Sequence, residues 1–338
     1  MGIGATIFGC AGLALTASET AFFRQAQPWG FILFARNIDT AQQVAALTAE
    51  LRAAVGRDAP IFIDQEGGRV QRLRPPHWRL WPAPLDMAQA LEPGQVERAF
   101  YLRYRLIAAE LSALGIDANC APMADIAMAD THHFLRNRCY GTDLPSVIAN
   151  ARATSEGLLD GGVLPVLKHI PGHGRGTLDS HLDLPKVTAE ADALKTLDFA
   201  AFAGLNDLPM AMTAHIVYAA IDDQAPATQS APMIQVIRDQ IGFDGLLMTD
   251  DLSMQALSGS MRARCESSLG AGCDVILHCN GDMAEMQEIA AASGDLAGQA
   301  ALRADAALAS KRVVSGDIEA LTAEWDELSQ SMEIALGA

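Results

Sequence analysis

The chain has 338 residues, of which 50% are hydrophobic, and a formal net charge of −17. The hydrophobic fraction supports a large buried core. The acidic balance argues against nucleic acid and anionic membranes as partners, because binding phosphate requires clustered lysines and arginines. We therefore expect neither kind of partner.

The apolar N-terminal stretch, residues 1–17, is predicted to contain a buried first strand rather than a signal peptide. A signal peptide begins with a positively charged region, but the first basic residue here is Arg24, and four glycines interrupt the stretch. No other stretch is long and apolar enough to span a bilayer. The six cysteines are scattered, without paired metal-binding spacing, which is typical of reduced thiols in a cytoplasmic protein.

Eight short apolar runs follow one another along the chain, each bounded by Gly, Pro, Asp or Asn. Parallel strands buried on both faces have this pattern. The predicted strands cover residues 5–9, 30–34, 61–64, 117–121, 164–169, 210–214, 245–249 and 274–278.

Segments with helical spacing of apolar residues lie between these runs. The first has Asp39 or Thr40 in position to cap it. The predicted helices cover residues 40–55, 97–114, 144–159, 189–204, 231–241 and 260–270, and C-terminal helices from about residue 283 include 305–314 and 318–336.

Strands that alternate with helices in this way predict an α/β fold, a (β/α)₈ TIM barrel in a single domain spanning residues 1–338. A doubly wound open sheet is the main alternative. No Gly-x-Gly-x-x-Gly follows a strand, and the first strand lacks a phosphate-binding loop, so the sequence gives no support for a nucleotide cofactor. We expect no cofactor.

Charged and polar residues directly follow several of the predicted strands. Asp64, His215 and the pair Asp250-Asp251 come at strand ends, and Lys168-His169 ends the fifth strand. A single Asp or His there is more often a cap or a loop hydrogen-bonder than a catalyst. A barrel brings all these ends to one rim, where its active site lies, so the joint pattern predicts an active site.

Three longer motifs resemble those of a known enzyme family. They are Asp64-Gln-Glu-Gly-Gly-Arg-Val-Gln-Arg72, Lys168-His-Ile-Pro-Gly-His-Gly174 followed by Asp179-Ser-His181, and Met248-Thr-Asp-Asp-Leu-Ser-Met254. In this order they resemble the signatures of glycoside hydrolase family 3 β-N-acetylhexosaminidases, over about residues 30–280. The family's short members are single-barrel cytoplasmic enzymes that recycle cell-wall muropeptides.

The resemblance implies a retaining exo-β-N-acetylglucosaminidase that removes terminal N-acetylglucosamine from muropeptides. Its substrates would be N-acetylglucosaminyl-anhydro-N-acetylmuramyl peptides, and the enzyme is expected to be a monomer. The implied nucleophile is Asp250, and the implied general acid/base is His181 with Asp179 as its partner. The implied sugar-binding residues are Asp64, Arg72, Arg138, Lys168 and His169.

Two of these assignments leave an alternative open. Arg138-Cys-Tyr-Gly141 fits the family pattern, but the residues before it depart from that pattern, so Arg136 is an alternative sugar contact. Asp250 and Asp251 are adjacent and cannot both point into the site if the strand alternates. We expect Asp250 to be catalytic and Asp251 to give a supporting hydrogen bond.

The implied acid/base is an imidazole, where retaining glycosidases usually have a second carboxylate. Histidine titrates near neutral pH and is suited to both proton transfers. Asp179 is placed to orient the ring and stabilise its charged form. The glycines at 172, 174 and 176 predict a loop that closes over the substrate.

Three other functions compete with this interpretation. A β-glucosidase or β-xylosidase of the same family generally has a further α/β domain that supplies the acid/base. A metal-dependent amidohydrolase would use the histidines and Asp250 as ligands, but the first strand lacks a His-x-His pair, and we expect no metal. An inactive sugar sensor would have no need to keep Asp179, His181 and Asp250 together.

Overall fold

The computed structural model describes residues 2–178 and 184–336. Its strands, in chain order, are β1 (Gly4–Gly9), β2 (Pro28–Leu33), β3 (Ile61–Ile63), β4 (Ala118–Asn119), β5 (Leu164–Ile170), β6 (Lys186–Val187), β7 (Met210–Thr213), β8 (Val217–Tyr218), β9 (Leu246–Met248) and β10 (Ile276–His278).

The helices surround these strands. They are α1 (Ala17–Ala26), α2 (Ala41–Val55), α3 (Pro84–Ala90), α4 (Pro93–Ala113), α5 (His133–Arg136), α6 (Leu144–Asp160), α7 (Ala191–Ala193), α8 (Phe199–Ala203), α9 (Ala231–Gln235), α10 (Met261–Ala271), α11 (Met283–Ser293), α12 (Gly298–Ala309) and α13 (Ile318–Leu336). None of the helices in the described ranges has the length and apolar character needed to cross a membrane.

Eight of the strands form one sheet with parallel pairing throughout, in the order β10-β1-β2-β3-β4-β5-β7-β9. A parallel bridge between Met248 and Val275 joins the two ends of this order, next to β9 and β10. The sheet is therefore a nearly closed (β/α)₈ barrel, and the fold predicted from the sequence is confirmed. The eight predicted strands correspond to these eight, whereas the short pair β6 and β8 was not predicted.

Alternate residues of the strands face the inside and the outside of the barrel. Met210 and Met212 of β7 pack in an inner cluster with Leu246 and Met248 of β9. Ala211, between the two methionines, packs in the larger outer cluster that includes the helices. Since both faces are buried, the strands need continuous apolar sequence, which explains why the runs were visible in the sequence.

Helix α12 closes the amino-terminal end of the barrel. Ala304 and Ala307 are buried in the inner cluster. Arg303 pairs with Asp274, at the start of the last strand, over 3.1 Å, and Lys311 just after the helix pairs with Asp117 over 2.9 Å. The barrel interior is therefore packed shut at this end.

The predicted helix over residues 305–314 is wrong in its bounds, since α12 begins at Gly298 and ends at Ala309. Val313 and Val314 are instead exposed in the connection to α13. β-Branched residues lose side-chain freedom in a helix, and this pair has no apolar partner surface that would offset the loss.

Other helix bounds differ for local reasons. Thr40, and not Asp39, caps α2 by accepting a hydrogen bond from Gln43 N. Helix α4 begins at Pro93, four residues before the prediction, because proline is well suited to the first helical position. The predicted helices 189–204 and 231–241 each contain a π-helical turn, at Leu194–Asp198 and Val236–Gln240.

Helix α13 packs against the loop that follows β3. Trp325 of the helix is 2% exposed, and its ring meets that of Trp81 edge-on with centroids 5.0 Å apart. Arg79 lies over the Trp81 ring and pairs with Asp326 of α13 over 2.5 Å. The C-terminal helix therefore holds a loop that, at its other end, carries the motif beginning at Asp64.

This packing predicts that Trp325→Ala strongly destabilises the protein. Loss of the buried ring should lower the free energy of unfolding by about 3–5 kcal/mol, and Trp325→Phe should cost less. Urea denaturation measures both. The control is Glu324→Gln on the same helix, which breaks an exposed pair with Arg98 and should cost less than about 1 kcal/mol. Equal effects of Trp325→Ala and Glu324→Gln would contradict the packing argument.

Candidate active site

A cavity of about 270 Å³ opens at the carboxyl end of the barrel strands. This is the end at which barrel enzymes have their active sites. Five of the residues assigned from the family motifs to sugar binding line it, together with Asp250. The lining residues assigned in this way are Asp64, Arg72, Arg138, Lys168, His169 and Asp250.

The ammonium group of Lys168 lies at the centre of a buried charge network. Its side chain is 2% exposed, and Nζ lies 3.0 Å from Asp64 Oδ1 and 2.5 Å from Glu66 Oε1. Arg138 donates two hydrogen bonds to the Glu66 carboxylate, from Nε over 2.9 Å and from Nη2 over 2.8 Å. Arg72 Nη2 reaches Asp64 Oδ2 over 3.2 Å. The network alternates charges and connects β3, β5 and the loop after α5.

The network keeps its members charged. Burial alone would raise the pKa of Glu66, but Arg138 and Lys168 outweigh burial and hold that pKa well below its usual value. Burial would likewise lower the pKa of Lys168, but Glu66 and Asp64 raise it above its usual value. The cavity therefore presents fixed charges and hydrogen-bonding groups at its wall.

His169 is oriented by a second buried carboxylate, Asp125. His169 Nδ1 lies 2.7 Å from Asp125 Oδ2, and Asp125 Oδ1 accepts the backbone N–H of His173 over 2.5 Å. Burial would raise the pKa of Asp125, but His169 lowers it. An ionised carboxylate only accepts, so Nδ1 donates and the His169 ring has a fixed orientation.

His173 also lines the cavity, beside His169. Burial, with the nearby His169 as the next cause, lowers the pKa of His173 to about 4. Its ring is therefore neutral near pH 7 and is poorly suited to donate a proton there.

Asp250 lies in the cavity wall, in the turn after β9. Its Oδ1 accepts the backbone N–H of Asp251 over 2.8 Å. The Asp251 carboxylate accepts hydrogen bonds from Cys279 N over 3.1 Å and from the backbone and side chain of Ser253. The Asp251 carboxylate is therefore used within the protein to fix the turn that carries Asp250, and the catalytic role of Asp250 stays a prediction.

Of the two candidate arginines, Arg138 lines the cavity and Arg136 does not. Arg136 donates instead to the Met128 carbonyl, away from the charge network. The geometry therefore favours Arg138 as the sugar contact.

The dyad Asp179 and His181 lies outside the described residues. The described residues on either side of it are attached to the barrel rim. Arg175 Nε pairs with Asp198 Oδ2 over 2.7 Å, and β6 pairs with β8 after the dyad. The roles of Asp179 and His181 stay predictions.

Sequence reasoning did not assign Glu66 and Asp125. Glu66 was within the first motif, but nothing in the sequence tells that Arg138 and Lys168 converge on it. Asp125 follows β4 by six residues and binds His169, 44 positions away in the chain. Both make their key contacts at long range. Within residues 2–178 and 184–336, no group of three or more His, Cys, Asp or Glu side chains is arranged to hold a metal ion.

Comparisons with known proteins agree with the motifs. A family model described as "Glycosyl hydrolase family 3 N terminal domain" matches residues 13–311. The chain is 34% identical to "Beta-hexosaminidase" of Methylococcus capsulatus, over 94% of this chain and 96% of that one. It is 36% identical to "Beta-hexosaminidase" of Alkalilimnicola ehrlichii, over 82% of this chain and 81% of that one.

Solved structures show the same fold. Native NagZ from Neisseria gonorrhoeae is similar with a TM-score of 0.83 and 30% identity, over all of this chain and 98% of that one. The same enzyme is also known in complex with N-trifluoroacetyl-D-glucosamine, with the same similarity. The barrel, its cavity and these relatives define the protein as a glycoside hydrolase. The chain belongs to glycosyl hydrolase family 3, and the resemblance read from its three motifs is confirmed.

The charge network predicts that Glu66→Gln lowers both the stability of the protein and its affinity for sugar. Removing one partner leaves Lys168 and Arg138 without their shared anion, which should lower the free energy of unfolding by about 3–5 kcal/mol and weaken sugar binding. Urea denaturation and the affinity for N-acetylglucosamine measure the two losses.

The sign of the pH dependence follows from the lowered pKa of Glu66 in the folded protein. The stability difference between wild type and Glu66→Gln should be constant above about pH 5 and should shrink as the pH falls below the unfolded value of about 4.3. Glu266→Gln, in an exposed pair with Arg262, is the matched control. A Glu66 variant as stable as this control would contradict the assignment.

Proposed function

We propose that the protein is a retaining exo-β-N-acetylglucosaminidase that removes terminal N-acetylglucosamine from muropeptides. Asp250 is the nucleophile, and His181 with Asp179 is the acid/base pair. The observation that carries the proposal is the position of Asp250 in a cavity whose wall also holds the Lys168 network. The complex of the related NagZ with N-trifluoroacetyl-D-glucosamine supports an amino sugar as the occupant.

In the first step, a carboxylate oxygen of Asp250 attacks the anomeric carbon. The bond from that carbon to the aglycone oxygen breaks, and His181 gives its proton to the leaving oxygen. The products of this step are the free aglycone and a sugar bound to Asp250 through an ester bond.

In the second step, water attacks the same carbon from the side that the aglycone left. His181 now accepts the proton of the water, and Asp250 leaves as a carboxylate. Two inversions give net retention. Asp179 stabilises the imidazolium, which exists before the first proton transfer and forms again in the second.

The charge network suits the recognition of sugar hydroxyls. Asp64 offers carboxylate oxygens as acceptors, whereas Lys168, Arg138 and Arg72 offer donors. Because their partners within the protein already fix these groups, they need little reorganisation on binding. Removal of one terminal sugar fits a cavity of this volume.

The aglycone would extend from the mouth toward solvent. Arg69 and Arg72 line the cavity, and the peptide of a muropeptide carries carboxylates that such cations attract. All six cysteines are free and buried, which supports a reducing compartment such as the cytoplasm. We further propose a single-domain monomer.

The first test compares hydrolysis of 4-nitrophenyl N-acetyl-β-glucosaminide with that of the β-glucoside, with and without EDTA and with and without phosphate. We expect the N-acetyl substrate to be preferred, chelation to have no effect, and phosphate to be unnecessary. Failure on the N-acetyl substrate would overturn the proposal, and loss of activity in EDTA would favour a metal-dependent hydrolase. Phosphate-dependent turnover would identify a phosphorylase.

The nucleophile is tested by Asp250→Ala, which should lower kcat/KM by about 10³-fold or more. Azide should restore turnover of the aryl substrate because the small anion replaces the missing carboxylate, and a single inversion should then give the α-glycosyl azide. Asp223→Asn, in an exposed loop, is the control and should act as wild type. A β-azide product, or no loss of activity, would exclude Asp250 as the nucleophile.

The acid/base role predicts that His181→Ala depends on the leaving group. Cleavage of a disaccharide, whose leaving alcohol needs a proton, should fall by about 10²–10⁴-fold. Formation of the glycosyl-enzyme from the 4-nitrophenyl substrate should fall much less, since nitrophenolate leaves without protonation. Rapid-quench kinetics on both substrates measures this, and equal losses would argue against His181.

A further inference from the structure

His215 is a fully buried histidine just after β7 that does not line the cavity. Its ring touches the active-site turn from behind. Nε2 lies 3.0 Å from the carbonyl oxygen of Asp251, and Nδ1 lies 2.7 Å from the hydroxyl oxygen of Thr228. Neither contact is part of the mechanism described above.

The hydrogen-bond partners of the His215 ring determine its tautomer. A carbonyl oxygen only accepts, so Nε2 must carry a proton and donate to Asp251 O. In a neutral ring Nδ1 is then the acceptor, and the Thr228 hydroxyl donates to it over 2.7 Å, with the Ala214 carbonyl oxygen as a more distant second acceptor at 3.1 Å. Thr228 Oγ1 in turn lies 2.8 Å from Thr213 Oγ1, from which it accepts. Burial lowers the pKa of His215, which favours this neutral form near pH 7.

The backbone of Asp251 bonds both to His215 and to the proposed nucleophile. The N–H of Asp251 donates to Asp250 Oδ1 over 2.8 Å, while the carbonyl of the same residue receives the His215 proton. On the other side, Cys279 N donates to the Asp251 carboxylate over 3.1 Å. The turn is therefore attached to β7 through His215 and to the end of β10 through Cys279.

We propose that His215 is a positioning residue for formation of the glycosyl-enzyme. It acts through the backbone of Asp251, whose carbonyl it binds and whose N–H bonds to Asp250, to hold the Asp250 carboxylate in line with the anomeric carbon, and Thr228 fixes the tautomer that this requires. The proposal rests on the proposed role of Asp250 as nucleophile. Since His215 does not line the cavity, it should affect the rate of attack more than the affinity for sugar.

The experiment uses the full chain and an N-acetyl-β-glucosaminyl fluoride with a second fluorine at C5, which slows both steps and lets the covalent adduct accumulate. Adduct formation is followed by intact mass, and the labelled residue by peptide mapping. His215→Phe should slow labelling of Asp250 by about 10- to 100-fold, the size expected for a misplaced reacting group. Its affinity for N-acetylglucosamine should stay within about twofold of wild type.

Variants that keep the hydrogen bonds distinguish a positioning role of His215 from a general loss of structure. In His215→Gln the side-chain amide can still donate toward Asp251 O, so this variant should label clearly faster than His215→Phe. Thr228→Val should slow labelling, and Thr228→Ser, which keeps the hydroxyl, should label at the wild-type rate. If His215→Phe does not fold, the Thr228 pair carries the test.

The matched control is His278→Gln, at the end of strand β10. His278 is also fully buried, and its ring bonds through Nε2 to Glu285 over 2.8 Å and not to the Asp251 backbone. It should lose thermal stability but label at the wild-type rate. Labelling of His215→Phe at the wild-type rate, or equal slowing in His278→Gln, would overturn the proposal.

Measurements on the wild-type protein distinguish a wrong role for His215 from a wrong proposed function. Wild type that neither hydrolyses the N-acetyl-β-glucosaminide nor forms an adduct would overturn the proposed function. Wild type that labels on Asp250, with histidine variants that label equally fast, would overturn only the role of His215.

Discussion

The buried ammonium group of Lys168 constrains the whole carboxyl end of the barrel. A lysine with a 2% exposed side chain must be paired, because an isolated charge in such a place costs several kcal/mol. Asp64 and Glu66 supply the pairing, and Glu66 can be buried only because Arg138 binds its second oxygen. One buried cation therefore fixes the positions of β3, β5 and the segment after α5 relative to one another.

The loop after β3 is also held by a buried cation. Arg103 of α4, itself fully buried, donates to the Glu66 carbonyl. Gly67 lies directly beside this arginine with a φ of +105°, and a Cβ there would come within 1.8 Å of Arg103 Nη2. The glycine is thus required both by its backbone conformation and by the close approach of the guanidinium group.

Much of this arrangement was predictable from the sequence, because the information was local. Each strand buried on both faces is a short apolar run, and carboxylates follow closely: Asp64 comes directly after Ile63, and Asp250 comes two residues after Met248. The family motifs added the prediction that Asp250 is the nucleophile. Thr40 as a helix cap was equally visible, since capping needs only its near neighbours.

What the sequence did not reveal depends on partners far apart in the chain. Glu66 and Asp125 look like ordinary loop carboxylates until folding brings Arg138 and His169 to them. The end of α12 at Ala309 depends on the barrel floor that the helix covers. His215 could be placed near the site from its strand end, but its bond to a backbone carbonyl could not.

The packing of α12 against the amino-terminal end of the barrel determines where molecules can enter and leave it. Ala304 and Ala307 fill the amino-terminal end, so nothing passes through the barrel from that side. Substrate, leaving group, water and released sugar must share the opening at the other end. In the proposed two-step mechanism, events at that opening are sequential: the leaving group clears it before water arrives, and the sugar is the last to depart.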